Sequence, residues 1–175
     1  MGTALNLKSS IAALANGIGD PRRGLPEEVF LFASRIVPMI NVDLFIRDSE
    51  DRTLLTWRDD RFYGSGWHIP GGIIRYKETA AERILACARD ELGAEVSFEP
   101  QPMVVAETIL DQAERGHFIS LLYRCQLLTP LDETRRAVPG APKRGEWAWL
   151  PGCPPDFLPA QAQYANLLQT GGNRT

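Results

Sequence analysis

Residues 67–96 read WHIPGGIIRYKETAAERILACARDELGAEV, and the reading of this stretch decides the fold. It opens with a Pro70-Gly71-Gly72 turn, crosses a polar loop to Glu78 and enters a helical segment that ends at Asp90-Glu91-Leu92-Gly93. Thr79 suits the N-cap, and Glu82 three residues on completes a capping box. Gly93 falls where a left-handed C-cap is needed. At the helical period Ile84, Leu85, Ala88 and Leu92 form an apolar stripe, with Arg83, Cys87, Asp90 and Glu91 on the flank beside it. Two adjacent carboxylates at a helix end, next to a glycine turn, suit a hard divalent cation held through oxygen. Such a cation neutralises charge on a diphosphate. A solvated acidic helix end accounts for the same charges without any ligand.

The stretch resembles the Nudix box, G-x5-E-x7-R-E-U-x-E-E-x-G-U with U a bulky aliphatic residue. Gly72, Glu78, Asp90, Glu91 and Gly93 match it, with Asp90 for a glutamate, and Gly66 to Gly72 support it as a lead-in. Ala86 and Cys87 stand where the box has Arg and Glu, and Ala88 and Ala94 are small for U. The resemblance implies an α/β Nudix fold, a mixed β-sheet sandwiched between α-helices. It also implies that the Gly71 carbonyl, Asp90 and Glu91 hold Mg2+, or Mn2+ in its place. Glu78 would brace the loop-helix-loop, although its usual arginine partner is Ala86 here.

The altered box is similar to that of the GDP-mannose mannosyl hydrolases, a Nudix subgroup that keeps the final Glu-Leu-Gly and loses other carboxylates. Pro38 to Asp43 and Leu54 to Arg58 look like that subgroup's first strands. The likeness implies substrate contacts at Asp43, Arg58 and His117, and a homodimer. The subgroup also carries a metal-binding Gln and a general-base His before its final Trp-Leu. Trp147-Ala148-Trp149-Leu150 supplies that landmark, but only Lys143 and Arg144 lie near it, and an arginine does not accept a proton near neutral pH. Glu146, Glu114, Asp111 and Glu107 are the carboxylates left to activate a water, with Glu146 first because it adjoins Lys143-Arg144. Arg144 suits a diphosphate clamp.

Working outward, the chain has 175 residues, a formal net charge of −3 and three scattered cysteines. That length fits one domain with a sizeable core. No basic run marks a nucleic-acid binder, and Cys87, Cys125 and Cys153 make neither a disulfide framework nor a zinc site. With no signal peptide and no long apolar run, a soluble cytoplasmic protein without membrane or nucleic-acid partners is the expectation. Residues 1–24 read as an appendage with a short helix over Leu5–Ala15, residues 25–170 as the single domain, and 171–175 as a disordered tail. A second helix starts at Pro26-Glu27-Glu28, and its face of Val29, Phe30, Phe32, Ala33 and Ile36 packs on the sheet or on a second copy.

Ile40–Arg47 and Thr53–Arg58 read as a β-hairpin around Asp48–Asp51. Asp43 in an apolar strand needs a partner, and Arg58 is the candidate. Residues 58–66 read as a loop, followed by Trp67, which suits stacking on a nucleobase or plain packing, and His68, a structural residue. Val96–Phe98, Met103–Ile109 and His117–Leu128 read as strands, Thr129–Gly145 as a long loop and Ala160–Gln169 as a closing helix. Arg83 and Arg58 would offset phosphate charge. These readings point to magnesium-dependent hydrolysis of a small nucleotide substrate, a nucleoside diphosphate linked to a sugar foremost. A pyrophosphohydrolase of other nucleoside diphosphate derivatives and a non-catalytic nucleotide-binding domain are the alternatives.

Overall fold

The computed structural model describes residues 6–169. Leu5 and the expected disordered tail lie outside that range.

Strand β1 (Met39–Ile46) organises the interior because its side chains alternate between two cores. Val42, Leu44 and Ile46 join Ile84, Cys87, Ala88 and Leu92 on one side. Phe45 joins Leu55, Trp67, Ile69, Tyr164 and Leu168 on the other. β1 runs parallel to β7 (His117–Leu127) and antiparallel to β4 (Gly71–Ile73). The far edge of β7 is shared by β6 (Val104–Ile109) near its start and β5 (Val96–Phe98) near its end. A second, three-stranded sheet has the order β3-β2-β8, with β2 at Thr53–Asp60, β3 at Gly64–His68 and β8 at Trp147–Leu150.

The helix α3 (Ala80–Cys87) closes the first core, and a 3-10 segment at Pro159–Tyr164 with α4 (Ala165–Leu168) closes the second. The fold is therefore the expected one, a mixed β layer between helical layers, with the sheet in two pieces. Helices α1 (Leu7–Ile18) and α2 (Glu27–Ser34) precede it, and α1 buries none of its residues. No helix among the described residues is long and apolar enough to cross a membrane.

Four local expectations are corrected. β1 and β2 do not form a hairpin; only a single Arg47–Thr53 bridge links them before the chain crosses to the second sheet. The segment 58–66 is no loop, because β2 and β3 pair as far as Asp60–Gly64. Leu85 is exposed, and Cys87 takes its place in the buried stripe. The closing helix is mostly 3-10. Glu27 and Glu28 do occupy the first turn of α2, where their charge opposes the helix dipole, but Phe32 and Ile36 of its apolar face remain exposed.

Candidate active site

The loop between β4 and α3 is shaped locally. Thr79 caps α3 through a complete capping box with Glu82. Arg83, one turn into α3, grips Glu78 with two hydrogen bonds, Nε to Oε2 at 2.8 Å and Nη2 to Oε1 at 2.6 Å. Arg83 thus supplies the brace that Ala86 lacks. Beyond Cys87 the helix widens into one π turn, Ala88–Leu92, and stops at Gly93 with φ 63° and ψ 27°. The wider turn brings Asp90 and Glu91 to the mouth of a cleft.

That cleft has two lobes, each about 320 Å³, which share Arg58, His68 and Arg115. The outer lobe holds Asp90 and Glu91 with Asp60, Arg135 and Arg144. The inner lobe is lined by Gly71, Gly72 and Arg83 together with the rings of Phe30, Tyr63 and Phe118. Asn41, Ser120 and Gln161 add polar groups to its wall.

Burial of the Glu91 carboxyl pushes its pKa up to about 7, with the charges of Asp43 and Asp90 adding to the shift. Arg58 and the Gly71 N–H, which donates to the carboxylate, work against it. Glu91 is thus a carboxylate short of positive charge, which a divalent cation would supply. Asp90 is exposed and receives a hydrogen bond from Arg89. The donors are hard oxygens facing an open lobe, so water and phosphate oxygens can complete a magnesium shell. The residues fit that ion. Among the described residues no third Asp, Glu, His or Cys joins them in a cluster. Cys87, at the missing carboxylate's position, is pushed up to about 12 by burial and by the Glu91 charge, so it stays a neutral thiol.

His68 is held neutral. Burial, then the Arg58 charge, pushes it down to about 3, and its Nδ1–H donates to the Thr56 carbonyl at 2.8 Å.

The expected site residues divide. Arg58, Arg83, Gly71, Asp90, Glu91 and Arg144 line the cleft. Asp43 lies behind the wall, accepting from Asn41 at 2.9 Å, Gln161 at 3.3 Å and Tyr164 at 3.1 Å. Its partner is therefore not Arg58, which instead meets Asp60 at 3.4 Å. Burial pushes the Asp43 carboxyl up to about 7 against those three donors and the Arg58 charge.

Trp67 faces the second core, edge-on to Trp57 at 5.2 Å, because alternation along β3 gives the cleft to its neighbour His68. The same alternation turns Phe118 into the cleft and His117 away from it, toward Glu107 at 3.1 Å. Glu146 folds back to accept from the Lys143 N–H at 2.8 Å and lines neither lobe. Sequence reasoning missed Arg115, Tyr63, Asn41 and Gln161; the last three lacked any local motif.

A model of the NUDIX domain matches residues 37–152, which span β1 through β8 and contain every cleft-lining residue named above except Phe30 and Gln161. The chain belongs to the Nudix family. The low-salt glycan biosynthesis protein Agl8 of Haloferax volcanii is 31% identical to it over 84 residues, 48% of this chain. The present chain spans about half of that relative, 53% of its length. A possible asymmetric diadenosine tetraphosphate hydrolase from Jonesia denitrificans superposes with a TM-score of 0.56 at 21% identity, covering 73% of this chain and 90% of that one. An ADP-ribose pyrophosphatase from Streptococcus suis gives 0.50 at 18% identity, covering 75% and 89%. The Nudix box of this chain keeps three carboxylates, Glu78, Asp90 and Glu91, and has Cys87 in place of a fourth.

Proposed function

We propose that this Nudix hydrolase is magnesium-dependent and cleaves a nucleoside diphosphate linked to a second group, a sugar foremost. The observation that carries the reading is the outer lobe, where Asp90 and Glu91 stand among Arg58, Arg115, Arg135 and Arg144. Cations at that density suit a diphosphate, and adjacent carboxylates suit the metal that bridges it. The glycan-biosynthesis name of the Haloferax relative supports a sugar-bearing substrate.

In this reading Asp90, Glu91 and the Gly71 carbonyl hold the ion, which when bound withdraws charge from the phosphate oxygens. Arg58 and Arg144 offset the charge that remains. The Gly71 N–H favours the charged form of the Glu91 carboxyl. The Glu78–Arg83 pair keeps the loop before α3 in register with the helix end. Asn41, Ser120 and Gln161 offer hydrogen-bonding groups on the inner wall, where sugar hydroxyls or a base edge would lie. Glu146, folded onto Lys143, takes no part in this arrangement.

The site of attack is open to direct test. Turnover in ¹⁸O-labelled water places the label on the released sugar if water attacks carbon, and on a phosphate if it attacks phosphorus. Label on the sugar with an intact nucleoside diphosphate is the result expected for a mannosyl-hydrolase-like enzyme. Label on phosphate assigns a pyrophosphohydrolase instead.

A further inference from the structure

Arg115 occupies an unusual position. Its backbone is left-handed, with φ 54°, a conformation that side-chain-bearing residues rarely adopt. Three hydrogen bonds hold it there: its N–H donates to Ser34 Oγ at 3.0 Å, and its carbonyl accepts from Tyr63 Oη and Gln112 Nε2, each at 3.0 Å. The side chain is caged by aromatic rings. The guanidinium carbon lies 5.6 Å from the ring centre of Phe30, 5.0 Å from Phe62 and 5.1 Å from Tyr63. Nε is buried with no hydrogen-bond partner, and Arg115 makes no ion pair among the described residues.

A second guanidinium shares the cage. Arg58 sits 5.2 Å from the same Tyr63 ring, and both arginines line both lobes of the cleft. The acid nearest the pair is Asp60, which Arg58 engages at 3.4 Å. Burial works to raise the Asp60 pKa, but the Tyr63 and Phe62 N–H groups and then the charges of Arg58 and Arg115 outweigh it. Among the described residues Asp60 is the only acid in ion-pair contact with either arginine, while the Arg58 charge also reaches Glu91 and Asp43. Two cations lining the same cleft repel, and the hydrogen bonds and left-handed backbone that hold Arg115 at the cleft wall preorganise it for an incoming anion.

We propose that Arg115, with Arg58, forms a phosphate-binding clamp at the seam of the two lobes, and that it takes the phosphate lying between the metal side and the inner lobe. The aromatic cage fixes the plane of the Arg115 guanidinium, so its planar fork is presented without a search over rotamers. The identity of the anion as part of a nucleoside diphosphate rests on the proposed hydrolase reading; the anion site itself does not.

The test uses inorganic pyrophosphate titrated calorimetrically into the whole chain, with chelator and then with Mg2+. Arg115→Asn removes the charge but tolerates the left-handed backbone. Arg115→Lys keeps the charge without the planar fork. The expected result is at least a tenfold loss of pyrophosphate affinity in R115N, a smaller loss in R115K, and melting temperatures near that of the wild type. If R115N does not fold, R115K decides by the same comparison. Unchanged affinity in the folded variants, or a wild type that binds no pyrophosphate under either condition, overturns the proposal. Turnover separates the two readings. Hydrolysis of a nucleoside diphosphate derivative with R115N unaltered in KM and pyrophosphate affinity removes the clamp alone. No hydrolysis by the wild type, with pyrophosphate binding that depends on Arg115, removes the hydrolase reading alone.

Discussion

Arg83 holds Glu78 through two hydrogen bonds of 2.8 and 2.6 Å, three residues before the position where the Nudix box places its arginine. Both side chains are largely buried, at 8% and 15% exposure. Removing one partner of such a pair strands the other, a loss of about 3–5 kcal/mol. Arg83→Ala should therefore lower stability by that order in a denaturant titration. Adding Ala86→Arg should recover part of it by restoring the box's own arrangement. No recovery in the double variant would show that the two arginine positions are not equivalent in this fold.

Cys87 is the second departure. Its Sγ lies where a Cβ on Gly72 would approach to 2.8 Å, so the side chain is tightly confined. Cys87→Glu returns a carboxylate beside Glu91 while overfilling that space, at a cost of about 1–3 kcal/mol. The expected pair of outcomes is a lower melting temperature and tighter Mg2+ binding by calorimetry. Weaker Mg2+ binding in a folded C87E protein would mean that position 87 does not face the ion.

Gly71 is pinned between strand and site. A Cβ there would come within 2.2 Å of the Val42 carbonyl and 2.8 Å of Asp43 Oδ1. Backbone cannot yield as a flexible side chain can, so Gly71→Ala should displace β4 and with it the backbone beside Glu91. Loss of nearly all metal-dependent turnover is expected. Gly72→Ala meets only the Cys87 and Arg83 side chains, and should be milder in the same assay.

Asp43 and Glu91 give the metal-free protein a distinctive pH response. Their carboxyls ordinarily titrate at 3.8 and 4.5, and each is pushed up to about 7 in the fold. Over the window between those values the unfolded chain has released the two protons and the folded chain keeps them. Stability from these groups is full below the unfolded pKa and is lost as pH rises through about 7. Denaturation with chelator present should show stability falling from about pH 5 to pH 7. Asp43→Asn should remove roughly half of that fall; an unchanged slope would contradict the assignment.

Much of this was legible in the residues, and the failures have physical causes. The capping box at Thr79 and the left-handed Gly93 were readable because short-range hydrogen bonding and sterics fix them. The β1–β2 connection misled because a four-residue polar turn is equally compatible with a hairpin and with a step between sheets. Leu85 misled because the apolar stripe through Ile84 can widen to either side, and α3 buries the side of Arg83 and Cys87 instead. Within the site, Trp67 and His117 each lie one residue from a cleft-lining neighbour, and a strand's period of two makes that a full reversal. Arg115 had no signal beyond the glycine after it. Its significance arises from Phe30, Phe62 and Tyr63, which come from distant segments.

The measurement that bears most directly on this account is Mg2+-dependent turnover of nucleoside diphosphate sugars by the wild type and by Glu91→Gln, with products separated by chromatography. The account predicts hydrolysis of at least one such substrate that requires Mg2+ and falls at least a hundredfold in folded E91Q. Turnover of equal rate in E91Q, or in the presence of excess chelator, would contradict it.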